Sequence, residues 1–280
     1  MRITVGCARQ PMTMTMTMTM TIRQTLWMLM LMLLLLASAA SAQEYLRLPG
    51  GAFDSALAVN GRAAHLTISS FYLRSEPVTN AGFLAFVVRH PSWRRGEVPS
   101  LLAGPDYLSH WQGPLQLGDA IQPDQPVTDV SWFAARAYCN SEQARLPTWY
   151  EWEYASAADA TRADARRDLL RNQAMLSAIQ TQTGNLPEPV GSRAANYYGV
   201  HDLNRLLWEW TADYAAMFSN PDSRVPGGVA NLALCGGSAL AFADKNQYAL
   251  MMRVAALSAL KPVDSAPRVG FRCVRDLSGE

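Results

Sequence analysis

The sequence predicts an α+β domain with a high loop content, built from short strands and a few short helices. Three observations support this class. Residues 63–75 alternate apolar and polar side chains as a half-buried strand does, and several short helical patterns follow capping residues. Residues 90–126 are rich in Pro, Gly and Trp, which is typical of a long loop. With no repeat or linker in view, residues 43–280 are expected to form one domain.

Residues 1–42 are expected to be a secretory signal peptide that is not part of the fold. The low-complexity segment 12–21 and Arg23 precede an apolar run over 26–37, and an Ala-Ser-Ala site ends at Ala42. The alternative is an uncleaved anchor, although the apolar run is shorter than the about 20 residues of a membrane span. Cleavage would place the protein in the periplasm or outside the cell, with no stable membrane insertion.

The charge and the cysteines agree with an exported protein. Removing the leader takes away three arginines and no acids, so 21 basic and 23 acidic residues remain, a net charge of −2. That balance gives no indication of a nucleic-acid partner. Export implies an oxidising compartment. Three of the four cysteines remain after cleavage, and an odd number indicates one disulfide and one free thiol.

The elements can be assigned in chain order. Residues 44–53 predict a strand followed by a Pro-Gly-Gly turn, before the strand pattern of 63–75. Thr79 is a candidate cap of a first helix and Ser131 of a second, and a third short helix follows the turn at residues 145–148. The side chains expected to face inward are Phe83, Phe86, Val87, Ala135, Tyr138 and Cys139.

The second half of the chain is less regular. Residues 159–182 are charged, alanine-rich and helix-prone, and we expect them on the surface. Residues 234–253 have the pattern of a strand, a tight glycine turn and a second strand. The glycine turn is the place where a reactive site is expected, yet no paired carboxylates or histidines follow it.

Four segments in order resemble the formylglycine-generating enzyme (sulfatase-modifying factor) family. The most specific is "QPVTDVSWFAARAYCNSEQARLPTWYEWEYA" over 125–155. The others are "LRLPGGAF" with "FYLRSEPVTNAGFLAF", "PVGSRAANYYGVHDLNRLLWEWTADY", and "CGGS" with "RVGFRCV". The resemblance implies a modified C-type-lectin-like fold with little regular structure and many aromatic contacts. It also implies a structural disulfide between Cys139 and Cys273, worth about 4 kcal/mol in the chain-entropy model.

The sequence departs from the family's enzymes where copper would bind. The resemblance implies two copper-binding cysteines after the Gly-Gly-Ser turn, since soft thiolates select copper(I). Counted from Ser238, those positions hold Ala241 and Asn246, which are not soft ligands. Copper is therefore not expected, and neither is formylglycine formation. Cys235 beside the turn is a weak catalytic candidate, because a lone cysteine reacts only when exposed and held as thiolate.

A calcium site implied by the resemblance also lacks one of its expected ligands. The family's Gly-Asn pair before the Trp-Glu-Trp motif appears here as Arg205 and Leu206, and Leu206 has no oxygen ligand to offer. Glu209 remains a candidate ligand for calcium. No other cofactor is assigned from the sequence. Arg205 could replace the charge of the ion.

Most of the motif residues also have a structural explanation. The tryptophans suit core positions, because large aromatics bury much area in a domain with few regular elements. The glutamates among them need hydrogen-bonding partners if they are buried, and arginines are suitable donors. The residues concerned are Trp132, Trp152, Trp208 and Trp210, Glu151, Glu153 and Glu209, and Arg145, Arg253 and Arg272.

Two classes of function are compatible with these patterns. The first is a periplasmic accessory, maturation or peptide-binding factor for a partner (metallo)enzyme, as the resemblance implies for members that lack the cysteine pair. Its cleft candidates are Trp210, Ser238, Asn246, Tyr248 and Arg253. The second is an enzyme with different chemistry, similar to the branch that matures siderophore chromophores. It would need an acid or base, for which Glu209, Asp244 and Asp264 are candidates.

Overall fold

The computed structural model describes five stretches of the chain, residues 44–59, 62–181, 186–204, 207–213 and 247–277. All five fall in one compact unit, Glu44–Glu280. The leader predicted over residues 1–42 lies outside them. In the described stretches no helix has both the length and the apolar composition needed to cross a bilayer.

Short antiparallel strands join the two ends of this unit. β1 (Tyr45–Leu48) pairs with β4 (Phe71–Arg74), which also pairs with β7 (Val274–Asp276). β2 (Gly51–Val59) and β3 (Arg62–Ile68) form a hairpin of their own, with an irregularity after Ser55. The strands predicted from the alternating pattern are therefore confirmed, although the second is divided into β3 and β4.

The Pro-Gly-Gly turn between β1 and β2 has a specific need for glycine. Gly50 adopts a positive φ of 70°, and a Cβ there would lie 2.2 Å from the carbonyl oxygen of Ile68. The backbone conformation and the close approach both exclude a side chain at this position. The turn predicted from the sequence is confirmed.

The first helices begin at the residues that the sequence indicates. α1 (Asn80–Arg89) is capped by Thr79 and α2 (Trp132–Ser141) by Ser131, each accepting from the backbone N–H three residues on at 3.1 Å. Their predicted inward residues are all buried. The long loop between α1 and α2 contains a short 3₁₀ helix, Pro91–Trp93.

A reciprocal capping box begins α3 (Trp149–Ser156). Thr148 Oγ1 accepts from the Glu151 N–H, and the Glu151 carboxylate accepts from the Thr148 N–H at 2.8 Å. Two N–H groups at the helix start are thereby satisfied. The third predicted helix is confirmed.

The helix-prone segment 159–182 is helical only in its second half, as α4 (Leu169–Thr181). Before it, Asp159 Oδ1 accepts from the N–H groups of Thr161 and Arg162 at 2.8 and 2.7 Å. Such bonds from an aspartate side chain compete with helix formation. The chain therefore turns at Asp159 and becomes helical ten residues later than its composition suggests.

The prediction of a second strand reaching Arg253 is wrong, because Tyr248–Ser258 is a helix, α5. Its sequence is mostly Ala, Leu and Met, which are strong helix formers. Its buried residues recur with helical spacing: Ala249, Leu250, Arg253, Val254 and Leu257. The glycine turn predicted at 236–238 lies outside the described residues.

Aromatic side chains fill the core, as expected for a domain with few regular elements. Trp111, Trp149, Trp152 and Trp210 are each at most 1% exposed. Trp132 and Trp208 are only partly buried and pack against the edge of the core, so the predicted core role holds for two of the four motif tryptophans and is too strong for these two. A parallel pair of short strands, β5 (Trp208–Glu209) and β6 (Val269–Gly270), runs through the same region.

Candidate functional site

Several of the candidate site residues lie in parts of the chain that the structure does not describe. Cys235, Ser238, Ala241, Asp244 and Asn246 lie outside the described residues, as do Arg205 and Leu206. The cleft and the copper positions inferred from the sequence therefore stay predictions. Glu209, Trp210, Tyr248, Arg253 and Asp264 are placed.

Glu209 is a fully buried member of an ion pair. Arg272 donates to its Oε1 at 2.8 Å and to its Oε2 at 2.9 Å, and the Trp152 indole donates to Oε2 at 2.9 Å. Both charged side chains are 0% exposed. A cation at Glu209 would have to displace a guanidinium that already balances its charge, so the site does not fit calcium as it stands.

Arg253 stacks on an aromatic ring instead of bonding a carboxylate. Its guanidinium carbon lies 3.4 Å from the ring centroid of Trp152, and Nη2 donates to the Glu209 carbonyl oxygen at 3.0 Å. Burial lowers the pKa of Arg253 to about 9. The expectation that it bonds a carboxylate fails among the described residues, whereas Arg272 and Arg145 do so.

The other placed candidates differ in accessibility. Trp210 is 0% exposed, and its indole donates to the Val130 carbonyl at 2.9 Å, which supports a core role. Tyr248 is 52% exposed at the start of α5. Asp264 Oδ2 accepts from the Lys261 N–H at 2.8 Å and closes an exposed turn.

A second buried carboxylate, Glu153, has partners that the sequence does not indicate. It accepts from Ser55 Oγ at 2.5 Å, from the Ala56 N–H at 2.6 Å and from the Trp149 indole at 2.9 Å, with Arg166 at 3.4 Å. Burial raises the pKa of Glu153, and these hydrogen bonds oppose that rise. Apart from Trp149 in α3 itself, its partners belong to the β2–β3 hairpin and to the loop before α4, so Glu153 connects both to α3.

The predicted disulfide is present. Cys139 and Cys273 are joined with a Cα–Cα distance of 5.5 Å. The bond connects α2 to the segment before β7 and spans 134 residues of chain. It uses two of the three cysteines that would remain after leader cleavage, which leaves Cys235 as the single thiol outside the leader.

The described residues offer little to a metal ion. No group of three or more His, Cys, Asp or Glu side chains among them could hold one. Of two close His–Asp pairs, His65–Asp54 is exposed, whereas His110–Asp129 is largely buried, with Nδ1 and Oδ2 2.6 Å apart. An ion would need further ligands than this pair.

A cavity of about 450 Å³ lies between the end of α3, α4 and residues 193–204. That volume is within the range of small-molecule sites, about 300–1,000 Å³. None of the nominated residues that the structure places, Glu209, Trp210, Tyr248, Arg253 and Asp264, lines it. The described lining residues are Ala158, Asp159, Ala160, Arg171, Met175, Arg193, Ala194, Ala195, Asn196, Val200, Asp202, Leu203 and Asn204.

Asparagine side chains hold the loop that forms one wall of this cavity. Asn196 Oδ1 accepts from the N–H groups of Tyr198 and Val200, and its Nδ2 donates to the Ala155 carbonyl at 2.8 Å. Asn204 Nδ2 donates to the Ser156 carbonyl at 2.9 Å. The loop is therefore anchored on the C-terminal end of α3.

Fold and placed residues together define a loop-rich α+β domain with an aromatic core, a buried Arg–Glu pair and one disulfide. The sequence profile of the sulfatase-modifying factor enzyme 1-like domain matches residues 35–277. The chain therefore belongs to the formylglycine-generating enzyme family, which confirms the resemblance and the fold class.

Related proteins carry three different names. The chain is 30% identical to a formylglycine-generating enzyme of Streptomyces coelicolor, over 84% of its own length and 90% of that protein. It is 29% identical to the inactive C-alpha-formylglycine-generating enzyme 2 of Bos taurus, over 81% and 86%. It is 35% identical to hercynine oxygenase of Mycolicibacterium smegmatis, over 55% of this chain and 40% of that protein.

Two solved structures align with this chain at low sequence identity. PvdO from Pseudomonas aeruginosa aligns with a TM-score of 0.48 and 17% identity, over 83% of this chain and 94% of that one. CarF aligns with a TM-score of 0.44 and 13% identity, over 84% and 98%.

Proposed function

We propose that this chain is an exported accessory factor of its family, which binds a peptide or partner enzyme and does not form formylglycine. The observation that carries the proposal is the supply of sulfur. The two cysteine positions expected after the glycine turn hold Ala241 and Asn246, and Cys139 and Cys273 are joined to each other. After leader cleavage only Cys235 could offer a thiolate.

This donor set does not fit a copper(I) site. Copper(I) prefers soft sulfur ligands, and the family's oxidase chemistry is implied to need two of them. One thiolate with an alanine and an amide at the expected positions does not make an equivalent site. A related protein of Bos taurus is named as an inactive formylglycine-generating enzyme, so loss of the activity has a precedent in the family.

The calcium positions support the same conclusion. Leu206 has no side-chain oxygen, and Glu209 is bound to Arg272 through both carboxylate oxygens. The guanidinium of Arg272 supplies the positive charge that a bound ion would otherwise bring. A factor of this kind would keep the family's fold without the family's metals.

The first test measures metal and activity together. The exported protein should contain no stoichiometric copper, calcium or iron by elemental mass spectrometry. It should also leave a cysteine-containing sulfatase-motif peptide unoxidised. The matched control is the double variant Ala241→Cys/Asn246→Cys, which should gain copper(I) binding if the two positions correspond as inferred. Stoichiometric copper or aldehyde formation in the unaltered protein would overturn the proposal.

A second test concerns the partner. If the neighbouring gene encodes an exported metalloenzyme, that enzyme should bind this protein in calorimetry and should reach full activity only when both are co-expressed. Neighbouring genes of a siderophore pathway, together with turnover of a siderophore precursor, would instead establish an enzyme with different chemistry. If a neighbouring gene encodes a sulfatase that becomes modified only when this protein is present, the chain would instead be a formylglycine-forming oxidase.

A further inference from the structure

The cavity beside α4 contains charged groups that are paired and charged groups that are not. Asp159 bonds Arg162, and Arg193 bonds Glu188 at 2.9 Å, so these two lining residues are already balanced. Arg171 and Asp202 also line the cavity, and among the described residues neither takes part in an ion pair. Among the described residues, Arg171 feels Asp159, Asp164 and Asp168 only at a distance, and Asp202 likewise feels Arg272, so each lacks a direct charged partner.

Arg171 is partly buried without a carboxylate on its guanidinium. Nη2 donates to the Ser156 carbonyl and Nη1 to Asn172 Oδ1 at 3.4 Å, both neutral acceptors. Burial lowers the pKa of Arg171, and the nearby carboxylates of Asp159, Asp164 and Asp168 oppose that change. A guanidinium in this position favours a planar anion such as a carboxylate, which it can bind with two hydrogen bonds.

Asp202 has the opposite deficit. It is 8% exposed, and its Oδ2 accepts from the Gly191 N–H at 2.7 Å. Its Oδ1 has no hydrogen-bond partner within the described parts of the chain. A buried carboxylate oxygen without a donor is costly, and an N–H group entering from the cavity would satisfy it. The residue adopts a positive φ of 65°, so the backbone holds the carboxylate in an unusual place.

We propose that this cavity binds a small zwitterionic ligand of the amino-acid type, with its carboxylate on Arg171 and its ammonium group on Asp202. The remaining lining favours an apolar side chain, because Met175, Val200 and Leu203 face the same space. None of the placed cleft candidates, Trp210, Tyr248 and Arg253, lines this cavity, and the inference does not depend on the proposed accessory role.

Ligand analogues give the sharpest test. L-Phenylalanine, L-methionine and the dipeptide L-alanyl-L-phenylalanine are titrated into the full protein by calorimetry, up to about 10 mM, a range that covers weak binding. N-acetyl-L-phenylalanine lacks the ammonium group and L-phenylalaninamide lacks the carboxylate. Each loss should weaken binding about tenfold or more, since charge-assisted hydrogen bonds are the strong ones. A preference for the dipeptide would identify a peptide terminus as the source of the chemistry.

Protein variants assign the two charges to their residues. Arg171→Gln should remove the preference for L-phenylalanine over its amide and leave the preference over the N-acetyl compound. Asp202→Asn should do the reverse. Arg167→Gln, an exposed arginine just before α4, is the matched control and should bind like the unaltered protein.

Three results would overturn the inference. One is the absence of binding for all the zwitterionic probes. Another is equal binding of the free and the blocked compounds. The third is unchanged affinity in a folded Arg171→Gln variant, with folding checked by circular dichroism. If Asp202→Asn does not fold, the analogue series and the Arg171 variant still decide the matter.

Discussion

Arg272 and Glu209 form an ion pair in which neither side chain has any solvent exposure. Arg272 uses its remaining N–H groups on the carbonyl oxygens of Arg74, Ser75 and His201, at 3.0 to 3.2 Å. One guanidinium thus connects β4, the His201 loop and β5. Breaking a pair of this kind leaves a buried charge without compensation. We therefore expect the loss of either partner to lower the free energy of unfolding.

Glu209→Gln should lower the free energy of unfolding by about 3 kcal/mol, because it leaves Arg272 buried and unpaired. Urea denaturation measures the change. Glu188→Gln is the control: its pair with Arg193 is about half exposed and should contribute less than about 1 kcal/mol.

The same experiment separates a structural Glu209 from a metal-binding one. If Glu209 acts through Arg272, calcium or a chelator should leave the stability difference unchanged. A calcium-dependent gain that disappears in Glu209→Gln would contradict the structural role. It would also restore the calcium site that the sequence left possible.

The disulfide should stabilise the domain substantially. Replacing both Cys139 and Cys273 by alanine should cost about 4 kcal/mol, because the loop they close is long. Alkylation read by mass spectrometry should label two more thiols after reduction than before it. Cys235→Ala should leave that gain of two unchanged, and no gain on reduction would show that the bond does not form.

Glu153 should make stability depend on pH in a specific direction. Burial raises the pKa of Glu153 above its ordinary value of 4.5, so the folded state takes up this proton before the unfolded state does as the pH falls. The cost of the ionised form is present above the raised pKa and is lost as the pH falls through it. The unaltered protein should therefore gain stability relative to Glu153→Gln as the pH falls from neutral towards the ordinary value of 4.5. A difference that stays constant over this range would refute the shift.

Removing the capping box of α3 should lower the free energy of unfolding by a smaller amount. Thr148→Ala removes the acceptor for the Glu151 N–H and should cost about 1 kcal/mol. Thr148→Ser keeps the hydroxyl and should be close to neutral. Chemical denaturation of the three proteins side by side measures both. Equal losses in the two variants would show that packing of the threonine methyl group, and not the cap, is what matters.

Local features of the fold could be predicted from the sequence because they depend on neighbouring residues. Thr79 and Ser131 bond to N–H groups three residues away, so a short pattern was enough to place them. The helix at Tyr248–Ser258 was missed because its apolar residues also suit a strand next to a glycine turn. The composition favours a helix, whereas the glycine turn before it favours a strand.

The candidate sites show the same division. The missing cysteines after Ser238 are visible in the sequence, since chemistry that needs sulfur cannot proceed with alanine and asparagine. The unmatched charges of Arg171 and Asp202 are not visible there. Arginine and aspartate occur throughout residues 159–204, and only their positions in space show which of them have partners.

The sequence by itself determined the family, the helix caps, the cysteine pair and the absence of cysteine at positions 241 and 246, because each depends on residue type at a fixed place in a motif. The tertiary structure alone decided that Glu209 pairs with Arg272, that Arg253 lies on Trp152, and that a cavity with unbalanced charges exists. Ion pairing and burial depend on distances between residues far apart in the chain, which folding sets and residue order does not state.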